Sequence, residues 1–595
     1  MIVPMKKVTV VCLAHAQEAT LLQLRALGVL HVQATEKPQH ATAADVTAAM
    51  RDTDTVIELL QLHAPKTPVP RGAVKKAAVL VREMLAVRER MTQRNEDIAR
   101  QRAELDRLAV WGEFEPQQLQ ALRARGVQVA LYHCTIGEVP RIPAGCVLHE
   151  VRRTKDTLAF VLVSDAPFEV PLAAVALPEK APAALRAALA AREQQQAEDR
   201  ALLAQHAGAV PALQHARRAL NDELQLAQAR DATGRVETLV YLCGFVPHTA
   251  VAPIEAAAHA HGWGLLIEEP GPDDNAPTLI RNPRWLQPVE TVFSFIDTFP
   301  GYHERDISVV FYLFFSLFYA MLIGDAGYGL VFLAITALIQ WRKGNVIPKQ
   351  PLYLMYVLNI ATVVWGVLTG SYFSIPLPHH ALLKKFVVLD TSNFEATVYV
   401  CFIIALVHLA LAHLWNAYRI INSWRALEQV SWACIVVTMY FAANTLLLNR
   451  PFPSWVGYFG AVAILTAVIF AVWGKVGEEL VAAMIQFPFG VINCFGDIAS
   501  YIRLFAVGFA GAATAQAFNA IAQQIGMNTI ATGFVVALIL VAGHALNMIL
   551  GLLAVIVHGL RLNTLEFSGH LGLEWSGHRY RPLAQQEPAG KEASA

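Results

Sequence analysis

Asp497-Ile498-Ala499-Ser500-Tyr501-Ile502-Arg503-Leu504-Phe505-Ala506-Val507-Gly508-Phe509-Ala510-Gly511-Ala512 decides how this chain is to be read. It sets an arginine near the middle of a membrane-length apolar helix. A guanidinium there is costly to bury and cannot shed its proton, so its default reading is functional. At helical spacing Arg503 shares a face with Gly496, Ala499, Ser500, Ala506, Val507, Ala510, Thr514 and Ala517. Small residues let another helix approach closely. One charge on a smooth face suits a surface that slides past a partner and meets one acidic group at a time. The plainer alternative is a permanent ion pair with a carboxylate of its own bundle.

Outward from this stretch the chain divides by composition. Its 595 residues are too many for one domain. Residues 1–300 are rich in charge and glutamine, whereas 307–570 are mostly apolar, in runs longer than a buried core helix needs. Formal net charge is zero, so nothing points to nucleic acid. The seven cysteines have no zinc or redox spacing, which fits a reduced compartment. No signal peptide is read at the N-terminus, so the soluble half is expected in the cytoplasm.

The apolar half is expected to be all-α. Ile307 to Trp341 is one apolar run, which as a single helix would reach about 52 Å against a bilayer core of about 30 Å. Gly324-Asp325-Ala326-Gly327 interrupts it and splits it into two short spans. Further spans are expected at about 352–374, 396–418, 429–448, 454–474, 480–525 and 529–562, giving about eight, the last two long and tilted. Span seven must tilt, bend at Pro488 or begin as an interfacial helix. This alternation puts Arg342, Lys343, Lys349, Arg419, Arg425, Lys475 and the tail, residues 571–595, on the cytoplasmic side. Lys384 and Lys385 fall outside, balanced only by Asp390 and Glu395.

Span eight carries a stripe of His544, Asn547, Gly551, Ala554, His558 and Arg561. Arg561 lies near the span's end, where the plain alternative is snorkelling to the interface. For His544 and His558 it is a hydrogen bond between helices. His408 and His413 in the fourth span read as packing or interhelical bonding.

The soluble half is expected to be α+β: two small α/β lobes joined by an antiparallel coiled-coil arm. A strand–helix–strand unit at 1–33, its helix closed by Gly28, recurs at 239–268. The two would make a proximal lobe from about 1–40 and 236–275. Leu80, Met84, Val87, Met91, Ile98, Leu105 and Leu108 form a coiled-coil seam in a helix of about 72–108. A second helix spans about 182–229, where Pro182 suits the first turn and Pro211 should kink it. Strand patterns between them make a distal lobe at about 125–175. An arm of this shape is a strut or a signalling coiled coil. No phosphate loop, dinucleotide turn or nucleophile elbow is found, so neither a catalytic residue nor a cofactor nor a metal is expected.

These residues resemble one family, the membrane stator subunit of V/A-type rotary ATPases, called subunit I in prokaryotes and subunit a in eukaryotes. The likeness is carried by Met1-Ile2-Val3-Pro4-Met5-Lys6-Lys7-Val8, by Gly324-Asp325-Ala326-Gly327-Tyr328-Gly329, and by Ala499-Ser500-Tyr501-Ile502-Arg503-Leu504. His558-Gly559-Leu560-Arg561-Leu562-Asn563 with Glu566 completes it. The resemblance implies that Arg503 meets the ion-binding carboxylate of a rotating proteolipid ring, supported by Arg561. It implies that Asn493 and His558 match polar positions of the ion path and that Glu566 belongs to the motif around Arg561; His544, read from the polar stripe of span eight, joins that set as a candidate for proton passage. Gly324, Asp325 and Gly327 form its structural motif. Phe489, Gly511 and Gly551 stand where some relatives carry polar or acidic residues. The implied partners are the ring, peripheral-stalk subunits on the arm, central-stalk and catalytic ATPase subunits, and the bilayer, with the chain in a prokaryotic plasma membrane. ATP chemistry would lie in those other subunits. The rival class is a stand-alone secondary transporter with a scaffolding arm, which should show an internal repeat and paired broken helices. The chain shows one broken run and no second half.

Overall fold

A computed structural model describes residues 1–33, 41–64, 77–139, 142–143, 145–176, 178, 180–344, 347–375, 385–389, 393–473 and 477–585. The expected helix start at 72–76, Lys384, Asp390, Lys475 and residues 34–40 and 586–595 lie outside them. The chain divides into two units: residues 1–10, 29–31 and 244–582, and residues 11–28, 32–243 and 583–595.

The α/β elements begin with β1 (Met5–Leu13), α1 (Gln17–Leu27) and β2 (His31–Val32). Leu21 and Leu24 are the buried side of α1, and Gly28 ends it at φ +64°, a left-handed cap that suits glycine. Helices α2 (Ala41–Leu62) and α3 (Ala77–Leu108) follow, then α4 (Pro116–Ala124) and strands β3 (Gln128–Thr135), β4 (Val147–Arg153) and β5 (Thr157–Ser164). The return passes through α5 (Pro182–His206), α6 (Val210–Asp231), β6 (Gly234–Val236), β7 (Leu239–Pro247), α7 (Val251–His261) and β8 (Gly264–Glu268). The sheet order β2-β7-β1-β8, with β6 beside β7, joins the first and last strands of this half. Strands β3, β5 and β4 pair antiparallel in a separate sheet.

Between them α3 packs on α5 and α2 on α6. Leu80, Met84, Val87 and Met91 of α3 are buried with Val56 and Leu60 of α2 and with Leu203 and Leu213 of the return helices. Ion pairs such as Arg192–Asp97 at 2.6 Å cross between α3 and α5 on the wetter side. Sequence reading missed α2, whose apolar positions are diluted by alanine and threonine. The second long helix is not continuous: three residues, Ala207–Ala209, form a 3₁₀ turn, and α6 restarts with Pro211 in its first turn, where the missing N–H costs no bond.

The apolar half begins with α8 (Pro288–Phe295) and continues through α9 (Ser308–Ile323), α10 (Ala326–Lys343), α11 (Lys349–Thr369), α12 (Phe394–Arg419), α13 (Arg425–Leu448) and α14 (Ser454–Val472). It closes with α15 (Glu478–Ser500), α16 (Ile502–Ile525), α17 (Ile530–Ala554) and, beyond two π-helical turns, α18 (Ser568–Leu571). Among the described residues six helical stretches are long and apolar enough to cross a membrane, and α9 with α10 form a further pair bent by 116°. Helices α15 and α16 count as one such stretch, as does 530–571. Pro488 lies inside α15 without ending it; the interruption falls at Tyr501.

The bend between α9 and α10 follows from two residues. Gly324 caps α9 at φ +67°, and Asp325 caps α10 by accepting from the Tyr328 N–H at 3.1 Å. The same carboxylate accepts from the Ser371 hydroxyl at 2.7 Å and from the N–H groups of Phe373 and Ser374 at 2.9 Å each. Close approach fixes the neighbours: a Cβ on Gly366 would lie 2.1 Å from the Ala326 nitrogen, and one on Gly327 would lie 2.5 Å from the Phe373 ring.

Candidate functional site

The site is built on the break at Tyr501. This side chain is fully buried, and its hydroxyl meets Nδ1 of His408 at 2.7 Å. His408 is stacked between Phe314 and Phe567, with ring centroids at 3.9 and 4.4 Å. The three rings and the hydroxyl fix where α16 begins, and Arg503 is its second residue.

Arg503 donates from Nε to the Ser500 carbonyl and from Nη2 to Oε1 of Glu566, both at 3.1 Å. Arg561 Nε lies 3.4 Å from the same Oε1. Glu566 is buried, its side chain 3% exposed, while those of Arg503 and Arg561 are 25% and 51% exposed. One carboxylate oxygen thus serves two guanidinium groups, and its other oxygen, Oε2, is buried without a partner among the described residues. The ion pair within the bundle, the plainer alternative for Arg503, is present. Arg503 nevertheless keeps a quarter of its side chain exposed, and its Nη1 has no hydrogen bond among the described residues.

Two π-helical turns, Val555–Gly559 and Leu562–Phe567, bring Glu566 there. Arg561 and Glu566 are five residues apart, which in an α-helix would set them about 140° apart round the axis. The i to i+5 bonding of a π turn brings such residues onto one side, and such turns concentrate at functional positions. His558 lies where the charges of both arginines act on it, and its Nδ1 is buried without a partner among the described residues.

The remaining expected site residues lie elsewhere. Asn493 lines a cavity of about 600 Å³ together with Asp497, His413, His570 and Arg305. His570 Nε2 is 3.0 Å from Asp497 Oδ2, and its Nδ1 is 2.8 Å from Nε2 of His413. His544 belongs to a third group: its Nδ1 meets the Tyr328 hydroxyl at 2.8 Å and its Nε2 meets Asn519 Oδ1 at 3.1 Å. Asn547 donates to that hydroxyl at 3.0 Å and to the Gly511 carbonyl at 2.9 Å. The bonding between helices expected of His408, His413 and His544 is therefore seen. Asp497, His570, Tyr328 and Asn519 were not singled out as site residues from the sequence. The signal for Asp497 was available, as a charge six residues before Arg503 in an apolar run.

The small-residue face is turned outward. Gly496, Ala506, Ala510 and Ala517 are exposed. Only 11% and 17% of the apolar windows of 478–525 and 530–571 are buried, against 28–50% in the other four stretches, so these two are the least covered by the chain's own helices.

An array of long apolar helices with a buried carboxylate between two partly exposed guanidinium groups is the pattern of a polytopic membrane protein. The chain belongs to the subunit I family of V-type and A-type ATP synthases. It is 31% identical to "V-type ATP synthase subunit I 1" of Treponema pallidum (strain Nichols), a match covering 98% of this chain and all of that one. It is 33% identical to "V-type ATP synthase subunit I" of Borreliella burgdorferi over 59% of this chain and 61% of that one. It is 25% identical to "A-type ATP synthase subunit I" of Methanocaldococcus jannaschii over 61% and 58%. No family model matches the chain. A solved cytoplasmic N-terminal domain of subunit I, described as a homologue of subunit a of V-ATPase, aligns with 44% of this chain at 13% identity and a TM-score of 0.19, too low for any structural conclusion.

Proposed function

We propose that the chain is the stator of a V/A-type rotary ATPase, in which ion flow across the membrane is coupled to ATP hydrolysis or synthesis in partner subunits. Arg503 stands at the centre of the mechanism. A ring carboxylate crossing the bilayer must be neutral, because an isolated charge there is prohibitive. Opposite Arg503 its charged form is favoured and its pKa falls. The ion leaves on one side and is replaced from the other, so two offset aqueous paths turn ion flow into rotation. Glu566, behind Arg503, holds the guanidinium from the stator side, with Arg561 as its second partner. The group around Asn493 and Asp497 would serve the cytoplasmic path, and that around Tyr328, His544 and Asn519 the opposite one.

The observation that carries this reading is Arg503, anchored by Glu566 yet partly exposed beside a small-residue face that the chain's own helices leave open. The proteolipid ring fits that face. The helical arm would engage peripheral-stalk subunits, while central-stalk and catalytic subunits complete the assembly. Counting α9 and α10 as two short crossings gives eight spans, with the N-terminal half and the tail in the cytoplasm of a prokaryote and the spans in its plasma membrane. Membership of the family removes the reason for the stand-alone transporter.

The test is ATP-driven ion uptake by vesicles containing the assembled complex, wild type against Arg503→Ala and Arg503→Lys. Alanine abolishes transport with the complex intact. Lysine retains the charge but not the paired contacts to Ser500 and Glu566, and falls between. Normal transport by an intact Arg503→Ala complex would refute the mechanism.

A further inference from the structure

The cavity beside Asn493 contains a hydrogen-bond chain whose direction can be fixed from its far end. Backbone carbonyls only accept, so Asn416 must turn its Nδ2 toward those of His570 and Leu571, each at 3.3 Å. The same Nδ2 also lies 3.4 Å from Gln429, which must therefore present Oε1. That oxygen is 3.0 Å from His413 Nδ1, so Nδ1 carries a proton. The neutral His413 ring then has an acceptor at Nε2, and His570 Nδ1, 2.8 Å away, must donate. A neutral His570 so arranged would aim a lone pair from Nε2 at Asp497 Oδ2, 3.0 Å away, which is also an acceptor.

That last contact is satisfied only by one more proton than two neutral imidazoles and a carboxylate hold. The proton sits on Nε2 as an imidazolium or on Oδ2 as a carboxylic acid. Its loss leaves two lone pairs face to face, and its return restores the bond. The His570 side chain is 9% exposed and that of Asp497 is 34% exposed, so the carboxylate is the end open to exchange. Arg305 lines the same cavity, and its Nη1 is buried without a partner among the described residues. A fixed guanidinium opposes the residence of a sodium ion there, whereas a proton passed along a hydrogen bond needs no free cation to dwell. Cys494, which also lines the cavity, is the other titratable group on its wall.

We propose that His570 and Asp497 are a one-proton loading site on the stator's ion path, with His413 as the positioning residue that fixes the His570 tautomer, and that the ion carried is therefore H⁺ rather than Na⁺. This rests on the stator reading. In each cycle one proton leaves Asp497 Oδ2 toward the next acceptor on the path and one enters from the cavity onto the His570–Asp497 pair; no other bond changes.

The test uses the whole complex in vesicles, following ATP-driven acidification and uptake of radioactive sodium in parallel. His570→Ala lowers acidification by roughly a hundredfold, the scale lost with a general acid–base group. Added imidazole, which can occupy the vacated space, restores it. Asp497→Asn lowers it similarly, without rescue by imidazole. Wild type takes up no sodium. Undiminished acidification by either variant, a loss in His570→Ala that imidazole does not restore, or ATP-driven sodium uptake would each overturn the proposal. Should His570→Ala not assemble, Asp497→Asn decides alone. An inactive Arg503→Ala beside an active His570→Ala refutes the loading site and leaves the stator intact, whereas an active Arg503→Ala refutes the stator itself.

Discussion

Glu566→Gln isolates what the shared carboxylate does. The substitution keeps the side chain's shape and an acceptor at the Oε1 position but removes the charge. At an effective dielectric of about 20, a full charge pair at the Arg503–Glu566 distance of 3.1 Å is worth about 5 kcal/mol before desolvation is subtracted. The Arg561 contact adds little beyond about 1 kcal/mol, because that side chain is half in solvent. Exchanging a charge-assisted hydrogen bond for a neutral one leaves a net loss of about 1–2 kcal/mol. That loosens the hold on Arg503 by about five- to thirtyfold. A guanidinium released from its own bundle pairs more persistently with a ring carboxylate, so each carboxylate is let go more slowly. The expected result is an assembled complex whose ATP-driven transport falls about tenfold, by the same conversion, with hydrolysis falling in step. The assay is transport and hydrolysis measured on one vesicle preparation. Transport within about twofold of wild type, a change under about 0.5 kcal/mol, would refute the idea that Glu566 restrains Arg503.

Asp325→Asn puts an amide where four donors converge on one carboxylate and should cost about 1.5–3 kcal/mol for each charged bond lost, read as a lower thermal midpoint of the purified subunit. The tail strand, residues 577–580, which bridges to Thr278 and Phe299, offers a pH test. Burial, and then His578, lowers the pKa of His31 from 6.5 to about 4, while Arg581 N–H donates to its Nδ1 and Tyr580 O–H donates to the Val29 carbonyl. Because the docked state refuses the proton, docking is at full strength above about pH 6.5, weakens as pH falls, and loses nothing further below about pH 4. The protection factor for amide exchange at Thr278 and Tyr580, which pair here, taken against the intrinsic rate at each pH, reads it; unchanged protection from pH 7 to 4.5 would contradict the sign.

The parts of the fold visible in the sequence are those set by local chemistry. Gly324-Asp325 announced the bend because a left-handed cap followed by an N-cap has few other uses. Leu80 through Met91 announced the α3 seam because buried apolar positions recur at helical spacing. For span seven a tilt, a bend at Pro488 and an interfacial start were all open, and α15 runs through the proline. A proline attracts attention, yet Pro488 costs α15 only one backbone bond, while the interruption follows from Tyr501 reaching His408 on another helix, a contact made across 93 positions of chain. Arg503 and Arg561 were legible as charges in apolar surroundings. Their meeting at Glu566 was not, since no residue pattern distinguishes a π turn from an α turn. For the same reason His570 and Asp497, 73 residues apart, carried no sign that they touch.

The π turns make the end of span eight sensitive to length in a way that substitution studies would not reveal. Each already holds one residue more than an α turn would, so removing one between Arg561 and Glu566 lets the turn close as α-helix with the carboxylate four residues on, about 40° from Arg561 round the axis, whereas adding one swings everything downstream by about 100°. The carboxylate would leave Arg503, and His570 and the tail strand would turn with it. Insertions in 555–567 should therefore be rarer across the lineage than point changes there, because the segment works as a counting device already filled to its limit.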